Sequence, residues 1–271
     1  MQIPTYEKFI NSMTRTDNIG QIVAYDWYIL PNPLHGAWMT YSVMLDDFAR
    51  ELANAVNAFT MNVRRLSAWA TLLPTLEQRL ANEAMHEFVE PLATLALLSP
   101  YMVRSRFVYA TAHLCHQINL VRDENWTEAS LPSDSEIYID AADRQGSPWR
   151  EYRRLKLKIE KIGGRRLREA TSDFRNAFTH RFSTRIGLGI TNHATRRLDK
   201  STGRVTYVFG GTHPLDPAEI AALLTTELGC CYAAFEYFQK LVAAHSAFIV
   251  PNNKFLLDQL DGARSINATT S

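Results

Sequence analysis

Apolar residues recur every three or four positions through most of the chain, the spacing of one buried face of an α-helix. The longest run of this kind predicts a single helix over residues 37–73, which Pro74 ends or kinks. Similar apolar faces predict further helices over residues 76–95, 99–121, 148–162, 165–182 and 216–245. Long helices joined by shorter connections favour an antiparallel bundle.

The pattern changes to a period of two after residue 185. Apolar residues alternate with small or polar ones over 186–191 and again over 205–209, on either side of a polar turn at 199–203. This alternation predicts a β-hairpin at about 186–209. We therefore predict an all-α protein, a helical bundle over 36–250 with one inserted β-hairpin. Residues 1–35 are predicted to form an irregular N-terminal extension, and residues 251–271 a polar C-terminal tail.

The overall composition describes a globular chain without extreme charge. Hydrophobic residues make up 46%, enough for a substantial core, and the formal net charge is +1. A strongly cationic nucleic-acid binder is therefore excluded as a description of the whole chain. The three cysteines do not form a disulfide framework and suit a reducing compartment. Because no signal peptide and no long uncharged apolar stretch is evident, we expect a cytoplasmic protein without a membrane partner.

One segment is nevertheless strongly basic. Residues 144–185 contain 13 Lys and Arg against four acidic residues. Such a segment attracts phosphate groups, although a solvated helix face has the same composition. The candidate contacts to RNA phosphates in this segment are Arg181, Arg185, Lys156 and Lys158.

The same segment holds a spaced pair of residues able to act on RNA. Arg175 is followed directly by Asn176 and, five places after the arginine, by His180. Arginine and histidine at a loose spacing also occur over 79–86 and 106–113, so only the asparagine makes the pattern distinctive. An Arg-Asn-x3-His motif late in a bundle helix resembles the HEPN superfamily, and the resemblance covers roughly residues 37–246.

The resemblance implies a fold and an activity. HEPN proteins are α-helical bundles, generally dimers, and many are ribonucleases that need neither a metal nor another cofactor. It implies that this chain is a homodimer acting on RNA as a toxin or a defence or stress nuclease, with a cognate antitoxin or regulatory protein as a further partner. Some members keep the fold and bind a partner without cleaving RNA.

The residue types of the motif fit RNA cleavage. RNA carries its own nucleophile, the 2′-hydroxyl, and His180 can accept its proton or protonate the leaving 5′-oxygen. Arg175 stays charged and can stabilise the phosphate in the transition state. Asn176 shares a helical face with His180 and is the candidate for orienting it. The expected products end in a 2′,3′-cyclic phosphate and a 5′-hydroxyl.

Helical geometry separates the two catalytic candidates. Arg175 and His180 lie about 140° apart around an ideal helix. Between them, Phe174, Phe178 and Phe182 are predicted to form a buried stripe. Either the helix ends near residue 180, or a second copy of the chain supplies the facing residues.

Two other interpretations stay open. Arginine, asparagine and histidine beside an apolar stripe are also ordinary solvent-facing residues, so an inactive helical protein that binds a partner protein, RNA or a small ligand is the alternative function. The sequence His113-Leu-Cys115-His116 offers metal-ligating side chains. Since a helix points these side chains in different directions, we expect core residues there and no metal.

Overall fold

The computed structural model describes residues 3–269, with side chains described for residues 4–261. The described residues are mostly helical and carry one two-stranded antiparallel hairpin, so the predicted all-α fold with an inserted β-hairpin is confirmed. The helices are α1 (Ile3–Thr14), α2 (Met39–Leu72), α3 (Gln78–Ala84), α4 (Glu90–Arg122), α5 (Ile139–Gly146), α6 (Arg150–Ile159), α7 (Arg165–Ala170), α8 (Phe174–His180) and α9 (Pro217–Thr269). The strands are β1 (Ala194–Leu198) and β2 (Val205–Phe209).

The chain divides into two compact units, and helices α2, α4 and α9 supply residues to both. Unit 1 comprises Met1–Ile22, Asn57–Tyr101 and Ile162–Gly229. Unit 2 comprises Val23–Val56, Met102–Lys161 and Cys230–Ser271. The basic segment is therefore shared, and its Arg-Asn-x3-His motif belongs to unit 1.

Helix α2 follows the apolar pattern closely. It ends at Leu72, and Pro74 stands in the 3₁₀ turn that follows it, as predicted. Most side chains at the apolar positions of this face, among them Leu45, Phe59 and Leu66, are buried. Burial of one face over many turns stabilises a long helix far more than helix propensity does.

The N-terminal segment is not irregular throughout, because α1 occupies Ile3–Thr14. In unit 1, Phe9 stacks on Trp69 at 4.6 Å between ring centroids, and the Ser12 hydroxyl donates to the Ala68 carbonyl at 3.1 Å. A helix of 12 residues is marginal alone, so packing on α2 is what stabilises this one.

The predicted polar tail is also wrong in part, because α9 continues through Pro251 to Thr269. Proline removes a backbone donor inside a helix, and a helix end was therefore expected near this position. In unit 2 the buried side chain of Asn253 anchors the helix just after this proline: its amide donates to the Pro33 carbonyl at 3.0 Å and its oxygen accepts from the His35 N–H at 2.7 Å. Tertiary hydrogen bonds thus stabilise the part of α9 that follows the proline.

The hairpin has one predicted strand and one unpredicted strand. β2 matches the second alternating run, and β1 pairs with it from Ala194↔Phe209 to Leu198↔Val205. Residues 186–191, predicted to form the first strand, are not part of it. Gly187 and Gly189 adopt positive φ angles of 71° and 92°, which are incompatible with an extended strand. A Cβ on Gly187 would also lie 2.4 Å from the Met85 sulfur. Glycine at this position therefore makes room for the Met85 side chain.

Candidate functional site

A sharp turn precedes α8, the helix that carries the Arg-Asn-x3-His motif. Ser172 and Asp173 lie between α7 and α8 with positive φ angles of 52° and 54°, a left-handed conformation that costs residues with a Cβ some energy. The second of these residues precedes α8, and its carbonyl accepts the Ala177 N–H at 3.0 Å. Two such residues in succession interrupt the helix between α7 and α8. The turn therefore starts a separate seven-residue helix instead of continuing the predicted helix over 165–182.

Both catalytic candidates are exposed on α8. Arg175 lies in its first turn, with the guanidinium carbon 6.0 Å from the centroid of the Tyr101 ring. His180 is the last helical residue, and among the described residues its side chain makes no hydrogen bond or ion pair. The helix ends there because Arg181 leaves the helical region, with φ −146° and ψ −149°. The helix therefore ends at residue 180, but His180 still belongs to it, so the two candidates remain about 140° apart around α8.

Asn176 takes a different partner from the predicted one. Its amide nitrogen donates to the Asp173 carboxylate at 3.1 Å, three residues back along the chain. The structure therefore ties this side chain to the turn before α8 and not to His180. Its visible role is to brace the start of the helix that carries Arg175.

The predicted buried stripe is only partly buried. Phe174 is 3% exposed, whereas Phe178 is 49% and Phe182 87% exposed. Phe178 stacks on Phe174 at 5.7 Å between centroids, so one of its faces is covered. Phe182 lies beyond the end of α8, so the helical spacing that predicted its burial does not apply to it. Two large aromatic side chains consequently face solvent beside the motif.

These phenylalanines line an open hollow of about 510 Å³ in unit 1, here called the α8 hollow. Its lining residues are Phe178, Arg181, Phe182, Ser183, Arg185, Thr191, Asn192 and Ala194. The hollow thus combines aromatic, cationic and neutral polar side chains, a combination suited to a ligand with planar rings and negative charge.

The two arginines of the α8 hollow were both predicted as phosphate contacts. Arg185 lies 3.8 Å from the Glu90 carboxylate, so part of its charge is already compensated. Arg181 is exposed and makes no ion pair within the described part of the chain. Arg181 is therefore the stronger candidate for a phosphate contact.

The basic surface of unit 1 continues onto the hairpin, which the sequence interpretation did not include. Exposed Arg196 and Arg197 lie on β1, and exposed Arg204 lies just before β2. The acid Asp199 is engaged in the turn between the strands, where it accepts the Ser201 hydroxyl at 2.6 Å, and this hydrogen bonding lowers the pKa of the carboxyl to about 2. A count of charges extended past residue 185 would have found these arginines.

The two lysine candidates belong to unit 2 and are already engaged. The Lys156 ammonium lies 2.6 Å from the Asp143 carboxylate, and this hydrogen bond raises the pKa of the lysine. The Lys158 ammonium lies 5.0 Å from the centroid of the Tyr237 ring. Both lysines thus contact side chains of unit 2, whereas the Arg-Asn-x3-His motif belongs to unit 1.

The remaining candidate metal ligands lie in the core of unit 2. His113, Cys115 and His116 are buried, and His116 contacts Gln145, Glu128 and Trp126 through hydrogen bonds. Within the described ranges, no three His, Cys, Asp or Glu side chains are grouped to hold a metal ion. His116 belongs to a buried hydrogen-bond network of unit 2.

Helix α9 is the one helix among the described residues that is long and apolar enough to cross a membrane by length and composition. The qualifying region is Pro217–Asp261, with a mean hydropathy of 1.3 in its most apolar window, of which 44% is buried inside the fold. A core helix of a soluble protein passes the same test, so this is weak evidence for a membrane.

Comparison with known proteins adds no relative. No family model matches the chain, no curated protein matches it, and no solved structure matches it.

Proposed function

We propose that this protein is a metal-independent endoribonuclease of the HEPN type, with Arg175 and His180 as its catalytic residues. One observation carries the proposal: both motif side chains are exposed on the same short helix, which borders a hollow containing two arginines. The Arg-Asn-x3-His resemblance supplies the reaction type. Asn176 is a positioning residue for α8 in this proposal, through its hydrogen bond to Asp173.

The proposed reaction is an internal transfer within the RNA chain. The 2′-oxygen bonds to the adjacent phosphorus and gives its proton to a general base of the protein. The bond from phosphorus to the 5′-oxygen breaks, and the 5′-oxygen gains a proton from a general acid. His180 is suited to one of these proton transfers, because its imidazole carries both a donor and an acceptor nitrogen and is exposed to a substrate. Arg175 stabilises the charge on the phosphate oxygens as the new bond forms.

We further propose that the active form is a homodimer located in the cytoplasm. Arg175 and His180 are separated by about 7.5 Å along α8 and by about 140° around it, so one helix aims them in different directions. A two-fold symmetric pair would bring two copies of each side chain to one groove. The physiological role proposed is that of a toxin or a defence or stress nuclease, controlled by an antitoxin or regulatory protein.

The test is cleavage of a single-stranded oligoribonucleotide by purified protein in EDTA. Wild-type protein should produce 2′,3′-cyclic phosphate ends, and His180→Ala should cleave at least about 100-fold more slowly, the usual contribution of a general acid or base. His213→Ala, at another exposed histidine of unit 1, is the matched control and should cleave normally. Equal cleavage by His180→Ala and wild type would contradict the proposal and indicate a contaminating nuclease.

A second candidate function is partner binding without cleavage. The hairpin favours it, because Tyr207 and Phe209 present large apolar side chains to solvent on β2. In the same assay this function predicts no cleavage by the wild-type protein under any condition.

A further inference from the structure

The two exposed phenylalanines of the α8 hollow are unusual for a surface. Phe178 and Phe182 are 49% and 87% exposed, and they stand four residues apart with Arg181 between them. Exposing large aromatic rings to water is unfavourable and commonly marks a binding surface. Arg185, three residues after Phe182 in the sequence, also lines the α8 hollow.

The alternation of aromatic and cationic side chains matches the chemistry of single-stranded nucleic acid. Aromatic rings stack on unpaired bases, and arginines between them contact the phosphates that link those bases. Neutral polar side chains, here Ser183 and Asn192, can hydrogen-bond to base edges. The hairpin of the same unit adds Arg196 and Arg197, on opposite faces of β1, to the positive charge of unit 1.

We infer that the α8 hollow is a base-stacking subsite in which Phe178 and Phe182 bind unpaired bases of an RNA strand whose phosphates contact Arg181 and Arg185. The inference rests on the proposed function, because it places this strand beside Arg175 and His180. A base inside a duplex is stacked between its neighbours and cannot offer its face to Phe182. The subsite therefore selects single-stranded over double-stranded RNA.

Charge favours RNA over a second copy of the chain as the occupant of the α8 hollow. A second copy of the chain docked through Phe182 would bring the arginines of one hollow towards those of the other, with like charges opposed. An RNA strand instead neutralises Arg181, which makes no ion pair within the described part of the chain.

The experiment measures binding apart from cleavage. A fluorescently labelled 12-nucleotide RNA is titrated with His180→Ala protein, once as a single strand and once annealed to its complement. Phe182→Ala in this background should weaken single-strand binding by about tenfold or more, the usual cost of losing a stacked base, and leave duplex binding unchanged. Phe182→Tyr should restore binding, since it keeps the aromatic face. Phe255→Ala, at an exposed phenylalanine of unit 2, is the matched control and should bind normally.

A second readout reports stacking directly. An RNA containing 2-aminopurine loses fluorescence when that base stacks on an aromatic ring. Binding to protein that keeps Phe182 should therefore quench the fluorescence, and binding to Phe182→Ala should not. Equal binding by Phe182→Ala and its parent, or equal affinity for single-stranded and duplex RNA, would overturn the inference. So would a change in oligomeric state in Phe182→Ala at unchanged RNA affinity, because it would identify the patch as a protein interface.

The outcomes for the inference and for the proposed function are separable. Cleavage by wild-type protein without any effect of Phe182→Ala on binding refutes the subsite and leaves the nuclease. Single-strand binding that depends on Phe182, without cleavage by wild type, supports the subsite and refutes the nuclease. The absence of both refutes both.

Discussion

The buried histidine His245 should make the protein lose stability as the pH falls from 7 to 5. Its side chain lies in the core of unit 2, with Nδ1 3.0 Å from the Tyr41 hydroxyl and Nε2 3.8 Å from the Cys115 sulfur. The Trp149 ring lies edge-on to the imidazole at 4.4 Å between centroids. Burial, and to a smaller extent the charge of Arg122, lowers the pKa of His245 from 6.5 to about 3.

The sign and size of the effect follow from the two pKa values. The imidazole is neutral in the folded protein down to about pH 3, whereas in the unfolded chain it takes up a proton below about pH 6.5. Its contribution to stability is therefore present above pH 6.5 and is lost as the pH falls towards 3. Linkage gives a loss of about 2 kcal/mol between pH 7 and pH 5, and about 5 kcal/mol when the shift is fully expressed.

Urea unfolding followed by circular dichroism at pH 7, 6 and 5 measures this loss. His245→Gln keeps a polar side chain of similar size but cannot titrate, so it should lose about 2 kcal/mol less than wild type over this range. His213→Gln, at an exposed histidine, is the control and should follow wild type. Burial also lowers the pKa of His113, and the comparison between variants removes that contribution. If His245→Gln and wild type lose the same stability, the reasoning is refuted.

Two further predictions concern unit 1. Glu227 is buried, and its carboxyl accepts the Gly163 N–H at 2.8 Å. Burial raises the pKa of this carboxyl. The carboxyl therefore contributes to the free energy of unfolding at low pH, and this contribution is lost as the pH rises. Glu227→Gln keeps the acceptor without the charge, and its unfolding free energy in urea at pH 7 should equal or exceed that of wild type; a clear decrease would contradict this. Arg181→Ala should reduce the slope of log Kd against log salt for single-stranded RNA by about 0.7, one phosphate contact, whereas Lys156→Ala, paired with Asp143, should leave it unchanged. Equal slopes for Arg181→Ala and wild type would exclude that contact.

Local patterns along the chain are enough to predict several of the elements that the structure contains. The apolar period predicted α2 to within two residues at either end, because burying one face repeats at every turn of a long helix. The helix predicted over 216–245 starts where α9 does, and the Asp216 carboxylate accepts the N–H groups of Ala218 and Glu219 at 2.8 and 3.0 Å, as a helix cap does. The Arg-Asn-x3-His motif was likewise found from residue identity and spacing alone.

Tertiary structure decided what those patterns leave open. The same helical spacing that buries Phe174 was expected to bury Phe182, but the left-handed pair before α8 and the helix end at His180 place Phe182 in solvent. Whether a side chain is covered depends on which distant segment lies against it, and a local pattern contains no information about that segment. For the same reason α9 continues through Pro251, where Asn253 bonds to backbone more than 200 residues away, and β2 pairs with 194–198 instead of the glycine-containing run before it. Local sequence therefore indicated the long α2, the start of α9 and the candidate chemistry, whereas long-range packing and hydrogen bonding decided where other helices begin and end and which side chains are free to meet a ligand.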